Sequence, residues 1–257
     1  MPIRSLGADQ IRAWKGRLFP VITAYDEPFA RFAAEAGIDV LLVGDSLGMV
    51  VLGRATTIGV DLDDMARATA AVVAGAPAAH VIADLPFGSY EASDADAVDA
   101  AVTLVRAGAG SVKLEGGARS AARVRAIGAA GIPVVGHIGV LPQTAALTAG
   151  FGRVADADRL AADAAALVDA GAFAIVLEMV DAAVARELTA AVAVPTIGIG
   201  SGAGCDAQVH VLHDLLGLTA HPPPFATRTA DVASVARDGL RAYADAVRAG
   251  TFPPERR

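Results

Sequence analysis

The sequence predicts an α/β fold, a (β/α)8 TIM barrel, and three observations carry that reading. The first is a joint that returns four times, an Ala-rich segment followed by Ala-Gly and an apolar run. Its copies are AGIDVLLVG from Ala36, AGAGSVKLE from Ala107, AGIPVVGHI from Ala130 and AGAFAIVLE from Ala170. Glycine just past a helix supplies the left-handed residue that ends it. The second is that the runs after each joint are apolar on both faces, as parallel strands covered by helices are. The third is length, since 257 residues without a low-complexity linker match one large barrel. A doubly wound open sheet has the same alternation and stays as the alternative.

Three further runs, FPVITAY (Phe19–Tyr25), HVIADLP (His80–Pro86) and VPTIGIG (Val194–Gly200), bring the strands to seven. The eighth is assigned to the weak PPFATR segment, Pro223–Arg228. Helical patterns lie between them near Glu27–Ala36, Asp63–Ala74, Ala92–Ala107, Arg119–Ala129, Ala157–Ala170, Ala182–Ala191 and Val232–Ala249. The expectation is one domain over 1–257, with 1–18 a helical extension and 229–257 a C-terminal helix and tail.

Composition excludes several classes. Residues are 54% hydrophobic and 19% charged, and net charge is −7 with no Lys/Arg run. That argues against a nucleic-acid or anionic-membrane partner. The lone Cys205 makes neither an internal disulfide nor a Cys-rich metal site. The first 20 residues carry Arg4, Asp9, Arg12, Lys15 and Arg17 and lack an apolar core of signal-peptide length. The most apolar window, Ala70–Ala83, is interrupted by Gly75, Pro77 and His80 and is too short to span a bilayer. A soluble cytoplasmic protein is expected.

The strand ends raise the question of chemistry, because in a parallel barrel they share the face where active sites are built. Read in order they give Asp45 and Ser46, then Asp84, then Lys113 and Glu115, then His137, then Glu178, then the glycine-rich GIGSGAG. Each has an ordinary structural reading. Asp45 fits a helix N-cap, Asp84 a turn, Lys113 and Glu115 an ion pair on one strand face, His137 a core histidine, and GIGSGAG a plain turn or a phosphate nest. Together these readings meet an electrostatic objection. Four carboxylates converge with one certain cation, and two like charges about 4 Å apart repel by roughly 4 kcal/mol at an effective dielectric of about 20. Such a cluster needs a metal ion or carboxyls held protonated. Oxygen ligands without Cys or clustered His favour Mg2+ over Zn2+.

The chain resembles the ketopantoate hydroxymethyltransferase family from about Thr23 to Pro253. The resemblance rests on ITAYD (Ile22–Asp26), LVGDSLGM (Leu42–Met49), ADLPF (Ala83–Phe87), VKLEGG (Val112–Gly117), PVVGHIG (Pro133–Gly139), PQ (Pro142–Gln143), VLE (Val176–Glu178), PTIGIG (Pro195–Gly200) and HDLLG (His213–Gly217). It implies a (β/α)8 barrel that moves a hydroxymethyl group from 5,10-methylenetetrahydrofolate to 3-methyl-2-oxobutanoate. It also implies one Mg2+ per subunit on Asp45 and Asp84, with Glu115 in its coordination sphere. By the same resemblance Asp45, Ser46, Asp84 and Lys113 hold the 2-oxo acid, His137 lies nearby, Glu178 accepts the proton, and the chain forms a homo-oligomer, a decamer in the family. Arg54, Gly59 and Ala68, the loop 150–156, Met179 and Asp181, and the C-terminal segment depart from the family's usual pattern. A paralogue joining or cleaving a different 2-oxo acid by the same enolisation, and a barrel without catalysis, are the competing readings.

Overall fold

The structure, a computed structural model, describes residues 6–145, 147, 150 and 152–253. Two compact units divide the chain, the first reaching to His210 and the second starting at Val211. In the first, eight parallel strands close into a barrel in sequence order. They are β1 (Phe19–Thr23), β2 (Val40–Val43), β3 (His80–Asp84), β4 (Ser111–Glu115), β5 (Val134–Gly139), β6 (Ala174–Glu178), β7 (Thr196–Ile199) and β8 (Ala207–His210). Closure is through β1 and β8, with Val21 beside Val209. The helices of this unit are α1 (Ala8–Arg12), α2 (Glu27–Glu35), α3 (Leu47–Val50), α4 (Leu62–Gly75), α5 (Asp94–Arg106), α6 (Ala121–Ala129), α7 (Pro142–Ala145), α8 (Ala157–Asp169) and α9 (Ala182–Ala191). The second unit carries α10 (Leu212–Leu215) and α11 (Val232–Arg248). Among the described residues no helix is long and apolar enough to cross a membrane.

Local chemistry explains where these helices start and stop. Asp26, Asp61, Ser93, Asp156 and Asp181 each accept a backbone N–H in the first turn of the helix they precede, which satisfies donors the helix itself leaves open. At the far ends the recurrent Ala-Gly joint places Gly37, Gly108, Gly131 and Gly171 at positive φ, the conformation that the joint predicts.

The eighth strand is not where the sequence reading placed it. Pro223–Arg228 forms no strand, and β8 is Ala207–His210. This strand is short, exposes Gln208, and follows β7 through residues 200–206 with no helix between. Both the apolar run and the preceding helical pattern that marked the other strands are therefore missing.

Side chains alternate about each strand, and the inward set forms the barrel core. Val21, Val40, Leu42, Ile82, Val135, Val176, Ile197 and Val209 are buried in one cluster, with Ile11 and Phe19 in the same cluster and Trp14 packed against it. A polar latch ties the N-terminal segment to the strands there. Asp206 takes Lys15 Nζ at 2.9 Å, the Gly16 N–H at 2.9 Å and the Thr196 N–H at 2.9 Å. Removing that carboxylate strands a buried N–H and a lysine. Asp206→Ala should cost roughly 2–4 kcal/mol, read as a lower urea midpoint, while cation binding at the opposite end of the barrel stays unchanged.

Candidate active site

Continuing the core parity by two residues gives the site. Ile82 is followed at that spacing by Asp84, Val135 by His137, and Val176 by Glu178. On β4, Ser111, Lys113 and Glu115 share one face. The sheet register sets them side by side, Asp84 with Lys113 and Glu115 with His137. Burial is nearly complete, with 5% of Asp45, 2% of Asp84, 4% of Lys113, 2% of Glu115 and 2% of His137 exposed. The Glu178 side chain stays 16% open.

Lys113 links the set. Its Nζ lies 3.3 Å from Asp84 Oδ1 and 3.3 Å from His137 Nδ1. An ammonium only donates, so His137 Nδ1 accepts and the ring's proton is assigned to Nε2. That nitrogen is 3.4 Å from Glu178 Oε2, while Nδ1 is 3.6 Å from Glu115 Oε1. The ordinary structural alternative, an ion pair of Lys113 with Glu115, does not form; Lys113 pairs with Asp84.

Asp45 lies just past β2. Its N–H donates to Asp84 Oδ2 at 3.1 Å, so the two acids are held adjacent. It does not cap a helix, because Ser46 occupies the N-cap of α3. Ser46 Oγ instead meets Tyr25 Oη at 2.8 Å. A Cβ at position 44 would come within 2.9 Å of Ser46 Oγ, so the hydroxyl would have to shift. All seven residues named from the sequence, Asp45, Ser46, Asp84, Lys113, Glu115, His137 and Glu178, thus gather at the C-terminal ends of β2 to β6.

Desolvation dominates the protonation of this cluster. Burial raises Asp45 above the ordinary carboxylate range against the pull of Lys113. It pushes Asp84 up to about 7, with Asp45 adding repulsion, and Glu178 up to about 8. Glu115 is raised well above its ordinary value for the same reason. Burial alone would lower Lys113, but Asp84, Glu115, Asp45 and Glu178 outweigh it and hold the ammonium charged. Burial, and then the Lys113 charge, push His137 far down, so its imidazole is neutral.

The set suits a cation bound partly by the protein. Among the described residues no three His, Cys, Asp or Glu side chains form a ready cage for a metal ion. Two adjacent carboxylates are present, and buried Asp84 Oδ1 has no partner beyond the Lys113 ammonium 3.3 Å away. Mg2+ is ordinarily held this way, through one or two carboxylates plus substrate oxygens and water.

Other residues around the site carried no role in the sequence reading. Tyr25, Tyr90, Gln143 and Ser201 lie just after β1, β3, β5 and β7. The strand-end rule reaches Tyr25 and Ser201, but neither is ionised at neutral pH, so a charge inventory passes over them. Ser201 identifies what GIGSGAG does here. Its hydroxyl donates to Leu177 O at 2.7 Å and accepts the Val180 N–H at 2.9 Å. Those bonds bracket Met179, a non-glycine residue with φ of 47°, a conformation costing on the order of 1–3 kcal/mol. The left-handed step ends β6 directly after Glu178. Val154 N also donates to Met179 O at 2.9 Å, so the loop after α7 helps to hold the step. Of the sequence departures, Met179 and Val154 of the 150–156 loop lie at this step, whereas Arg54, Gly59 and Ala68 lie apart from it. Arg54 pairs with Asp64 at 3.1 Å and bonds the Gly59 carbonyl, and Ala68 is buried on α4.

The fold and site define the class, a parallel (β/α)8 enzyme with a buried carboxylate–lysine–histidine cluster at its strand ends. Solved structures share the fold. A 2,3-dimethylmalate lyase of the PEP mutase/isocitrate lyase superfamily aligns with TM-score 0.62 at 18% identity, covering 97% of this chain and 91% of that one. A phosphonopyruvate hydrolase in complex with oxalate and Mg2+ aligns with TM-score 0.65 at 13% identity, covering 97% and 90%. The family model for ketopantoate hydroxymethyltransferase matches residues 6–255. The 3-methyl-2-oxobutanoate hydroxymethyltransferase of Pyrobaculum islandicum is 53% identical over 236 residues, 90% of each chain. That of Moorella thermoacetica is 52% identical over 254 residues, 96% of this chain and 94% of its own. The chain belongs to the ketopantoate hydroxymethyltransferase family.

Raised carboxyl pKa values predict how stability varies with pH. Asp84 and Glu178 bind protons more tightly folded than unfolded, so they stabilise the fold fully below their ordinary values of 3.8 and 4.5. That contribution is lost as pH rises through about 7 for Asp84 and about 8 for Glu178. The melting temperature of metal-free protein should therefore fall between pH about 5 and about 8. Glu178→Gln should flatten the fall, and Mg2+ should raise the melting temperature most at the alkaline end. An equal slope in the variant would remove Glu178 from the cluster.

Proposed function

We propose that the chain transfers a hydroxymethyl group from 5,10-methylenetetrahydrofolate to 3-methyl-2-oxobutanoate, forming 2-dehydropantoate for pantothenate synthesis in the cytoplasm. The observation that carries this reading is Glu178, a partly open carboxylate raised to about 8 beside a neutral histidine and a buried ammonium. That is the arrangement of a general base working near neutral pH.

Asp45 and Asp84 hold Mg2+ in this reading, with Glu115 in the coordination sphere. When bound, the cation supplies a Lewis-acid pull on the oxygens of the 2-oxo acid and offsets the carboxylate charge. The chain's own residues do the rest. Lys113 and Ser46 bind the acid's oxygens, and Lys113 balances the charge that grows on the C2 oxygen. Glu178 removes the C3 proton, and the C–H electron pair becomes the C2–C3 double bond of the enolate. His137 Nε2 lies 3.4 Å from Glu178 Oε2 without a hydrogen bond between them, and in this reading its N–H is the donor the carboxylate meets as it takes the proton. The enolate C3 then forms the new C–C bond to the one-carbon unit, and both C–N bonds to the folate nitrogens break. Water supplies the hydroxyl, and the freed nitrogens take the proton from water and the one Glu178 removed, leaving tetrahydrofolate.

Assembly as a homo-oligomer is part of the proposal, and α11 supports it. Along this helix Val235, Leu240, Tyr243 and Val247 are 47–73% exposed, and no residue of the helix is buried. An apolar stripe of that kind is ordinarily covered by a partner, here a second copy. Sedimentation should show an oligomer that Leu240→Glu together with Tyr243→Glu disperses, and a wild-type monomer would remove this part of the proposal.

Proton exchange tests the chemistry. Wild-type protein with Mg2+ in heavy water should exchange the C3 proton of 3-methyl-2-oxobutanoate before any folate is added, as seen by proton NMR. Glu178→Gln should bind the acid yet exchange it roughly 10²–10⁴-fold more slowly. Turnover with methylenetetrahydrofolate tests the donor separately. Exchange at the wild-type rate in the variant would reject Glu178 as the base.

A further inference from the structure

We propose that Gln143 and Tyr90 are positioning residues, a buried amide–phenol pair that fixes Asp45 and Glu115 in the orientation the cation and the 2-oxo acid require. This rests on the metal-assisted reading above. Both polar side-chain atoms of Gln143 and its backbone N–H are committed. Its Nε2 donates to Asp45 Oδ2 at 2.9 Å and to Leu85 O at 2.9 Å. Its backbone N–H donates to Glu115 Oε2 at 3.2 Å. Its Oε1 accepts the Tyr90 hydroxyl at 2.6 Å. One residue thus directs donors at two of the acids assigned to the cation, from the first turn of α7.

Tyr90 bears on which way the amide points. A glutamine amide can be built in two orientations. With Oε1 turned toward Asp45, two acceptors would face each other, and Leu85 O would lose its donor. Asp45 Oδ2 and Leu85 O require the amino end, and the Tyr90 hydroxyl supports that orientation: it takes the Glu115 N–H at 3.3 Å and has Oε1 at 2.6 Å as its shorter acceptor, against Glu115 O at 3.3 Å. Arg123, on α6, holds the Tyr90 loop in turn, through its Nε to Tyr90 O at 3.0 Å and its Nη2 to Glu91 O at 3.2 Å. The Tyr90 hydroxyl reaches Asp45 through Gln143, and Glu115 both through Gln143 and at the Glu115 backbone.

A core-filling role and a positioning role differ in what they move. Mn2+ titration followed by electron paramagnetic resonance, on the full-length protein, reads cation affinity without turnover. Tyr90→Phe keeps the ring and removes the hydroxyl, whereas Gln143→Leu removes the amide. Partners of metal ligands typically carry roughly 10–100-fold in affinity. Each variant should lose affinity in that range, with thermal melting of the metal-free protein close to wild type. Because the two residues act as one device, the double variant should lose little more than Gln143→Leu alone. C3-proton exchange at saturating Mn2+ should also slow in both.

Affinity within about twofold of wild type in Tyr90→Phe, or additive losses in the double variant, would overturn the proposal and leave the metal reading intact. If Gln143→Leu fails to fold, Tyr90→Phe decides alone. A wild type that binds no Mn2+ would overturn the metal reading and this proposal with it.

Discussion

Lys113 is the charge around which the catalytic end of the barrel is arranged. A buried ammonium without partners carries an effective penalty of several kcal/mol, and Lys113 is almost wholly buried. It is tolerated because Asp84 and His137 each lie 3.3 Å away and further carboxyls surround it. Those carboxyls depend on it as well, because the ammonium is the main force opposing the desolvation that raises Asp84 and Glu178 toward their neutral forms. One positive charge does not balance four acids. The protein can answer with protons or with a bound cation, and the adjacent carboxylates of Asp45 and Asp84 leave the second route open.

The barrel makes this arrangement cheap to build. Two-residue alternation produces an apolar interior from Val21 to Val209, and the same alternation, continued by one step, turns apolar residues into acids, a lysine and a histidine. No special loop is needed to bring Asp84, Lys113, Glu115 and His137 together, because sheet register sets Asp84 beside Lys113 and Glu115 beside His137. Only Asp45 stands outside that parity, and its backbone N–H meets Asp84 Oδ2.

A second group of residues converts proximity into orientation. Ser201 holds the left-handed step after Glu178, Tyr25 engages Ser46, and Gln143 with Tyr90 spans the acids. Most of these side chains are neutral, and nearly all of their hydrogen-bonding capacity is spent on one another or on backbone. Such fully satisfied networks are rigid in a low-dielectric interior, which suits acids whose spacing sets what they can bind. They sit on loops placed by the scaffold, where binding residues concentrate.

The amino-acid sequence by itself determined the fold class, seven of the eight strands and the charged set at their ends. Each of these is written in local pattern: the Ala-Gly joint, the doubly apolar run, and the polar residue that closes it. Tertiary structure alone decided the eighth strand, since Ala207–His210 has neither a long apolar run nor a helix before it and is defined by pairing with β1 and β7. It also decided the partners. Lys113 pairs with Asp84 rather than Glu115, because neighbouring strands bring residues far apart in sequence closer than two positions along one strand. The roles of Gln143, Tyr90 and Ser201 were hidden for the same reason. A neutral side chain carries no charge to mark it in the sequence, and its hydrogen-bond partners exist only once the barrel has closed.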